Sequence, residues 1–292
     1  LNKKKVVIIG AGAVGKSIGY LLAKNGYQVL GFISKSLDSA QAGVELLGGG
    51  FATTEYDDFI LKADLILITT PDEVIKKVAK DIFDQELVKK GSCLIHCSGA
   101  LTSKILVPEV DKCGDYGQLS LHPLQSIANV EKGIDSLAKS FFTIEGNEIG
   151  REVGEEIIKS FGADYEVINA EVKPIYHAAA CVASNYLVAI LDLALTMNKK
   201  AGISPEKALS GLLPLIKGTL DNIEDLGTVQ SLTGPISRGD VEVIKNHLDV
   251  LKEIFPDALE LYQGLGVYTA DIAKKKRSIT AKEFAELNKI LE

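Results

Sequence analysis

The side chains best suited to chemistry gather in one short stretch, 173–185, which reads Lys-Pro-Ile-Tyr-His-Ala-Ala-Ala-Cys-Val-Ala-Ser-Asn. Within it Lys173, Tyr176, His177, Ser184 and Asn185 can all donate hydrogen bonds. If Lys173 is already helical, it shares one helix face with His177, Ala180 and Ser184, at spacings of four, three and four residues. Pro174 opposes this, because the residue before a proline resists α geometry. The alternative puts Pro174 in the first turn and leaves Lys173 at or near the cap. A lysine and a histidine one turn apart could deliver a proton or a hydrogen bond to an atom on which negative charge grows. Two neighbouring cations each disfavour the other's protonation, which draws one pKa toward neutrality.

A second constellation lies near the start of the sequence. Residues 5–9, Lys-Val-Val-Ile-Ile, are a short β-branched run that reads as a buried parallel strand. It leads into Gly10-Ala11-Gly12-Ala13-Val14-Gly15, then an apolar-periodic helix closed by Asn25-Gly26, then a second strand at 28–33. In that setting Gly10 permits the tight turn, Gly12 lets a pyrophosphate approach the backbone, and Gly15 lets helix and strand pack closely. The phosphates would rest on the helix N-terminus formed by Ala13 and Val14. The motif alone leaves FAD open beside NAD(P). Where an NAD site places an acid on the ribose, this chain has Ser34-Lys35-Ser36. A lysine between hydroxyls suits a 2′-phosphate, so NADP is favoured over NAD. Asp38, one turn further on, could restore an acid, and Lys35 could equally be a plain exposed residue.

The elements that must position these groups alternate strand and helix through the first half. Strands are expected at 63–68, 92–95, 118–121, 141–144 and 165–168, with a helix at 148–160. Ligands of an open parallel sheet lie outside the carboxyl ends of its strands, which brings Thr70 and Pro71, Ser98, and the histidines His96 and His122 to one crevice. A histidine is more often a structural donor than a catalyst; His122 is the better candidate because Pro123 stiffens its loop. The second half is helical: a helix of nearly 30 residues from about 171, another capped by Ser204-Pro205 and kinked by Pro214, and further helices at 241–255 and 256–275. Thr280 and Glu283 form a capping box for the last one. Between them Arg238 and Asp240 read either as a surface ion pair and a helix cap or as an anchor for a substrate carboxylate or the 2′-phosphate. His247 is expected to be structural. The fold class is therefore α/β, an N-terminal Rossmann domain over 1–169 with a mostly parallel sheet, followed by an all-helical domain over 170–292.

At 292 residues two cores are expected. A net charge of −7 argues against a nucleic-acid partner, and the Lys274–Arg277 basic run reads as the solvated end of a helix. Cys93, Cys97, Cys113 and Cys181 show no metal or disulfide spacing and read as reduced thiols of a cytoplasmic protein; no metal is expected. No apolar run is expected to reach the ~18 residues of a membrane helix. Leu1 in place of Met reads as a non-standard start codon or a trimmed chain.

With these pieces placed, the chain resembles the NAD(P)-dependent reductases that join a Rossmann domain to a helical domain like that of 6-phosphogluconate dehydrogenase. Ketopantoate reductase, pyrroline-5-carboxylate reductase and 3-hydroxyisobutyrate dehydrogenase belong to that superfamily. His96-Cys-Ser-Gly-Ala100, His122-Pro-Leu-Gln-Ser126, Tyr176-His-Ala-Ala-Ala180 with Ser184-Asn185, and Leu232-Thr-Gly-Pro-Ile-Ser-Arg-Gly-Asp240 are similar to a branch described as Rossmann-like NADP or coenzyme-F420-dependent oxidoreductases with a C-terminal domain of unknown function. The resemblance implies a homodimer and hydride transfer involving a small carbonyl or imine substrate bearing a carboxylate. It further implies Lys173 as proton donor, in a Lys-x-x-x-Asn motif whose asparagine is His177 here. Lys173, His177 and His122 are then the catalytic candidates, with Ser98 beside the nicotinamide and Ser184, Asn185 and Arg238 on the substrate. A non-catalytic NADP(H)-binding sensor and a deazaflavin-dependent reductase are the competing readings.

Overall fold

The computed structural model describes residues 4–108 and 114–292, so Leu1 and Cys113 lie outside the described residues. It divides into two compact units, Leu1–Ser184 and Asn185–Glu292. The helix that carries Lys173 and His177 therefore goes with the sheet, although the sequence places it at the head of the helical half.

The first unit is an eight-stranded sheet built from β1 (Lys5–Ile9), β2 (Gln28–Ile33), β3 (Phe51–Thr53), β4 (Leu65–Ile68), β5 (Cys93–His96), β6 (Gly117–Pro123), β7 (Phe141–Gly146) and β8 (Asp164–Val167). The order is β3-β2-β1-β4-β5-β6-β7-β8, and neighbours are parallel except β6 with β7. Order reverses between β1 and β4, the switch point at which open α/β sheets hold ligands. The sheet is buried on both faces, and successive residues serve opposite cores. Val6, Ile8, Leu65 and Leu67 pack with α1 (Ala13–Lys24), whereas Val7, Ile9, Ile66 and Ile68 pack with the helix that follows β4. That alternation explains why β1 and β4 read as continuous apolar runs.

α2 (Leu37–Leu47) and α3 (Asp72–Asp84) follow β2 and β4; α4 (Val130–Leu137) and α5 (Glu148–Phe161) lie further along. β3, only three residues long, was not expected from the sequence. Its place is made by Gly31, where a Cβ would come within 2.2 Å of the Phe51 carbonyl oxygen.

The expected 30-residue helix is two helices. α6 (Lys173–Ala183) follows a 3-10 turn over Ala170–Val172, and α7 (Asn185–Lys200) begins beyond Ser184, whose φ of −115° and ψ of −67° break the helix. Lys173 itself is helical, with φ −55° and ψ −42°, so Pro174 sits in the first turn, where its missing N–H costs no intrahelical bond. The sequence of this region also corrects the expectation about apolar runs. Ala170–Lys200 contains an 18-residue window of mean hydropathy 1.8, long and apolar enough to cross a membrane by length and composition.

In the second unit α8 (Pro205–Gln230) continues through Pro214 and breaks instead at Gly227, which takes φ +74°. α9 (Pro235–Arg238), α10 (Val241–Ile254), α11 (Leu259–Lys276) and α12 (Ala281–Leu291) enclose a small core of Ile236, Ile244, Leu248, Ala270, Ala273, Leu287 and Leu291. Thr280 and Glu283 form the expected capping box. Asp240 occupies the N-cap of α10 without capping it, because its carboxylate turns to Arg238.

Candidate active site

Both constellations of the first unit are set at the carboxyl ends of parallel strands. β1 ends at Gly10, whose φ of +112° turns the chain and whose N–H donates to the Ile33 carbonyl at 2.8 Å. Thr69 Oγ1 donates to the Gly10 carbonyl at 2.7 Å and fastens the ends of β1 and β4 together. A Cβ on Gly15 would stand 2.1 Å from that carbonyl oxygen and 2.3 Å from Thr69 Oγ1, so only glycine allows this packing. A Cβ on Gly12 would meet nothing within 4 Å. It would project into open space at the uncapped N-terminus of α1, which has no acid in its first turn.

Gly10 and Gly12 help line a cleft of about 500 Å³ together with Ser34, Lys35, Ser36, Ser39, Thr70 and Pro71. Ala13 and Val14 are the first residues of α1, so their N–H groups belong to its unsatisfied end. Ser36 caps α2 by accepting from Ser39 N–H at 3.4 Å. Asp38 falls in the first turn of α2 and is not among the residues lining the cleft. Thr70 Oγ1, on the cleft wall, is buried without a hydrogen-bond partner. A cleft with free N–H groups, an orphaned hydroxyl and a lysine among serines fits a phosphorylated dinucleotide.

The second constellation surrounds the loop after β5. Ser98, at its centre, is held from every side. Its hydroxyl donates to Asp72 at 2.6 Å and accepts from the N–H groups of Ala100 and Leu101 at 3.2 and 3.0 Å. Its N–H donates to His96 Nδ1 at 3.1 Å. Its carbonyl accepts from Ser120 Oγ at 3.1 Å and from Lys173 Nζ at 3.2 Å. Further along, Glu145 accepts from the N–H and hydroxyl of Ser103 at 2.7 and 2.9 Å. Ser98 is thus engaged in shaping its own loop and does not line the glycine cleft.

Lys173 has no exposed surface, and its ammonium also donates to Ser120 Oγ at 2.7 Å. Burial pushes its pKa down to about 8, with the fields of Glu145 and Asp72 opposing the fall. The lysine points into the sheet; half-buried His177, one turn later, does not share that environment. His177 instead meets His122, ring centroids 6.3 Å apart and planes at 75°. His122 Nδ1 lies 2.8 Å from the Tyr176 hydroxyl. Burial, Lys173 and His177 together push the His122 pKa down to about 4, Asp72 opposing. His96 is likewise held down to about 4, chiefly by burial. Gly99 lies beneath both rings: a Cβ there would stand 2.7 Å from His177 Cδ2 and 2.8 Å from His122 Nε2.

The structure therefore brings together Lys173, His122 and His177 with Tyr176, a donor of the same stretch that had no assigned role, and adds Gly99, Ser120, Asp72 and Glu145. Ser120 and Glu145 carried no signal, since each is one polar residue inside a strand. Ser184 is exposed at the end of α6, and Asn185 is exposed at the start of α7. The Arg238 guanidinium is occupied by Asp240, through Nε at 2.9 Å and a second nitrogen at 2.8 Å, which matches the ion-pair reading of that residue. Among the described residues no cluster of three or more His, Cys, Asp or Glu could hold a metal.

Fold and site together define an open α/β unit with a glycine turn at its switch point, followed in the chain by a helical unit, and comparison with known proteins gives these parts their names. Residues 2–123 match a Rossmann-like domain and residues 140–269 match the domain of unknown function DUF2520. The chain carries a Rossmann-like domain followed by a DUF2520 domain, and the second match begins early enough to include β7 and β8. Protein TM1727 from Thermotoga maritima is similar over 93% of this chain and 99% of its own, at 28% identity and a TM-score of 0.73. A candidate NADP oxidoreductase from Bacteroides fragilis shares the fold over 93% of this chain and 98% of its own, at 21% identity and a TM-score of 0.70. A ketol-acid reductoisomerase (NADP(+)) from Buchnera aphidicola is 31% identical over 101 residues, 34% of this chain. That match spans 20% of the reductoisomerase, about a fifth of its length.

Proposed function

We propose that this chain is an NADP(H)-dependent oxidoreductase that transfers hydride to or from a small carbonyl or imine substrate bearing a carboxylate, and that it works as a homodimer. The observation that carries the reading is one sheet edge with two prepared features. The open glycine turn and Ser34-Lys35-Ser36 lie at the ends of β1 and β2, and the histidine cluster lies at the ends of β5 and β6. β6 is two strand spacings, ~10 Å, from the Thr70 strand. The similarity to an NADP-linked reductoisomerase over 101 residues and the fold shared with a candidate NADP oxidoreductase support it.

In this reading NADPH, when bound, supplies the hydride. The N–H groups of Ala13 and Val14 hold the pyrophosphate, Gly12 leaves room for it, and Lys35 pairs with the 2′-phosphate. Thr70 and Pro71 form the wall toward the reacting end. His122, His177 and Tyr176 face the atom that gains charge, and they supply it with hydrogen bonds or a proton. Lys173 contributes a buried positive charge and fixes the Ser98 loop. A neutral histidine that acts as donor needs surroundings that keep it neutral, and burial beside Lys173 provides them.

The test is calorimetric titration with NADPH and NADH, followed by a panel of small keto acids and cyclic imines. NADPH should bind more tightly than NADH. Lys35→Ala should weaken NADPH by about 10- to 100-fold, the worth of one charge-assisted hydrogen bond, and leave NADH unchanged. Equal affinities for the two would overturn the 2′-phosphate assignment. Binding without turnover of any substrate would leave a sensor as the better description.

A further inference from the structure

The chemistry at His122 depends on which ring nitrogen carries the proton, and the groups around the ring decide it. Burial raises the pKa of Tyr176, so the phenol keeps its proton at neutral pH. The ring is held neutral and has one proton to place. Either Nδ1–H donates to the phenol oxygen, or the phenol donates to Nδ1 across the observed 2.8 Å. The chemistry of the two groups separates the cases. A phenol O–H is a stronger donor than an imidazole N–H, and a bare imidazole nitrogen is a stronger acceptor than a phenol oxygen, so across the 2.8 Å contact the phenol proton goes to Nδ1. The ring proton is then left on Nε2.

Nε2 is the nitrogen over Gly99. Gly99 has no positive φ, so its backbone does not call for glycine; the space above it does. Any Cβ would stand within 2.9 Å of Nε2, Cε1 and the neighbouring His177 ring. The loop cannot withdraw to make room, because Ser98 is tied to Asp72, His96, Ser120 and Lys173.

We propose that Tyr176 and Gly99 are positioning residues which make His122 a neutral hydrogen-bond donor through Nε2–H: Tyr176 fixes the tautomer, and Gly99 leaves the room in which that N–H meets the substrate oxygen or nitrogen. The inference rests on the reading of this cluster as the proton side of the reaction. His122 donates a hydrogen bond and transfers no proton, so Tyr176 stays protonated throughout. The groups that set its charge are Lys173, His177 and Asp72.

The experiment is nitrogen–proton NMR of the imidazoles, which needs neither cofactor nor substrate. The chain has four histidines, so single His→Asn variants assign every ring. In the wild type His122 should show a protonated Nε2 and a bare Nδ1 at pH 7. Tyr176→Phe should cost that tautomer its preference, a change of about tenfold in the ratio for loss of one hydrogen bond. Gly99→Ala should displace the resonances of both His122 and His177 and leave His247 in place. Should Tyr176→Phe fail to fold, the wild-type ring decides by itself, since the proposal requires its proton on Nε2. A wild-type His122 protonated at Nδ1, or a tautomer ratio indifferent to Tyr176→Phe, overturns the proposal. Titration with NADPH in parallel keeps the outcomes apart: no binding would sink the proposed function and leave the tautomer result standing.

Discussion

Lys173 and the buried histidines make stability depend on pH in two separate windows. A lysine with an ordinary pKa of ~10.4 in the unfolded chain is held at about 8 in the fold. Between those values the unfolded chain binds the extra proton and the native protein does not, so stability rises with pH across the window. The shift corresponds to a gain of about 3 kcal/mol. Denaturant unfolding from pH 7.5 to 10.5 should show it, and Lys173→Met should lack it; equal slopes for the two proteins would mean that the lysine is not buried as charged. His96 and His122 act on the acid side. Both are pushed down to about 4, so the stability they confer is complete above ~6.5 and is lost as pH falls toward 4. His122→Gln should flatten part of that loss in thermal melts between pH 7 and 4. At this scale the sequence named the lysine and the histidines, but their surroundings were out of its reach, because burial is fixed by residues from β5, β6, β7 and α6 that are far apart in the chain.

Among the elements, the turn between β1 and α1 separates packing from binding within six residues. Gly15→Ala forces a methyl onto the Gly10 carbonyl and Thr69 Oγ1 and should destabilise the protein by about 1–3 kcal/mol. Gly12→Ala meets no protein atom, at φ −77°, and should change stability by less than about 1 kcal/mol while it weakens NADPH binding. Thermal melts and cofactor titration of the two variants check the contrast; Gly12→Ala with unaltered NADPH affinity would remove the phosphate from this turn. Helix and strand positions in this region were legible because local periodicity and turn chemistry agree with the fold. Two features were not. β3 is short and pairs only because Gly31 admits it, and α8 breaks at Gly227, an exposed glycine with φ +74° and no atom within 4 Å of its Cβ position, rather than at Pro214.

For the whole molecule, the helical unit presents apolar side chains that a lone soluble chain has no reason to carry. Val188 is 68% exposed on α7 and Leu215 66% on α8, with Tyr186 and Leu226 at 58%. α7 and α8 pack on each other within that unit, and these residues are left over. The homodimer proposed above would cover such side chains. Sedimentation at micromolar concentration should give a dimer, and Val188→Asp with Leu215→Asp should give a monomer of unchanged helix content. A monomeric wild type would overturn the dimer. Co-sedimentation of the wild type with lipid vesicles would assign the face to a membrane instead, a reading that the apolar window in Ala170–Lys200 makes worth testing.

By itself the sequence determined the sheet with its crossover helices, the glycine turn, the hydroxyl-flanked lysine after β2, and the gathering of histidines at strand ends. All of these follow from patterns read over a few neighbouring residues, where periodicity and turn chemistry act. Only the tertiary structure decided that Lys173 and His177, one turn apart, face different surroundings. It alone joined Tyr176 to His122 and set Gly99 beneath both rings. Those relations depend on which strands lie side by side and how deep a side chain sits between them. Burial and charge, acting across that distance, turn a list of polar residues into a site.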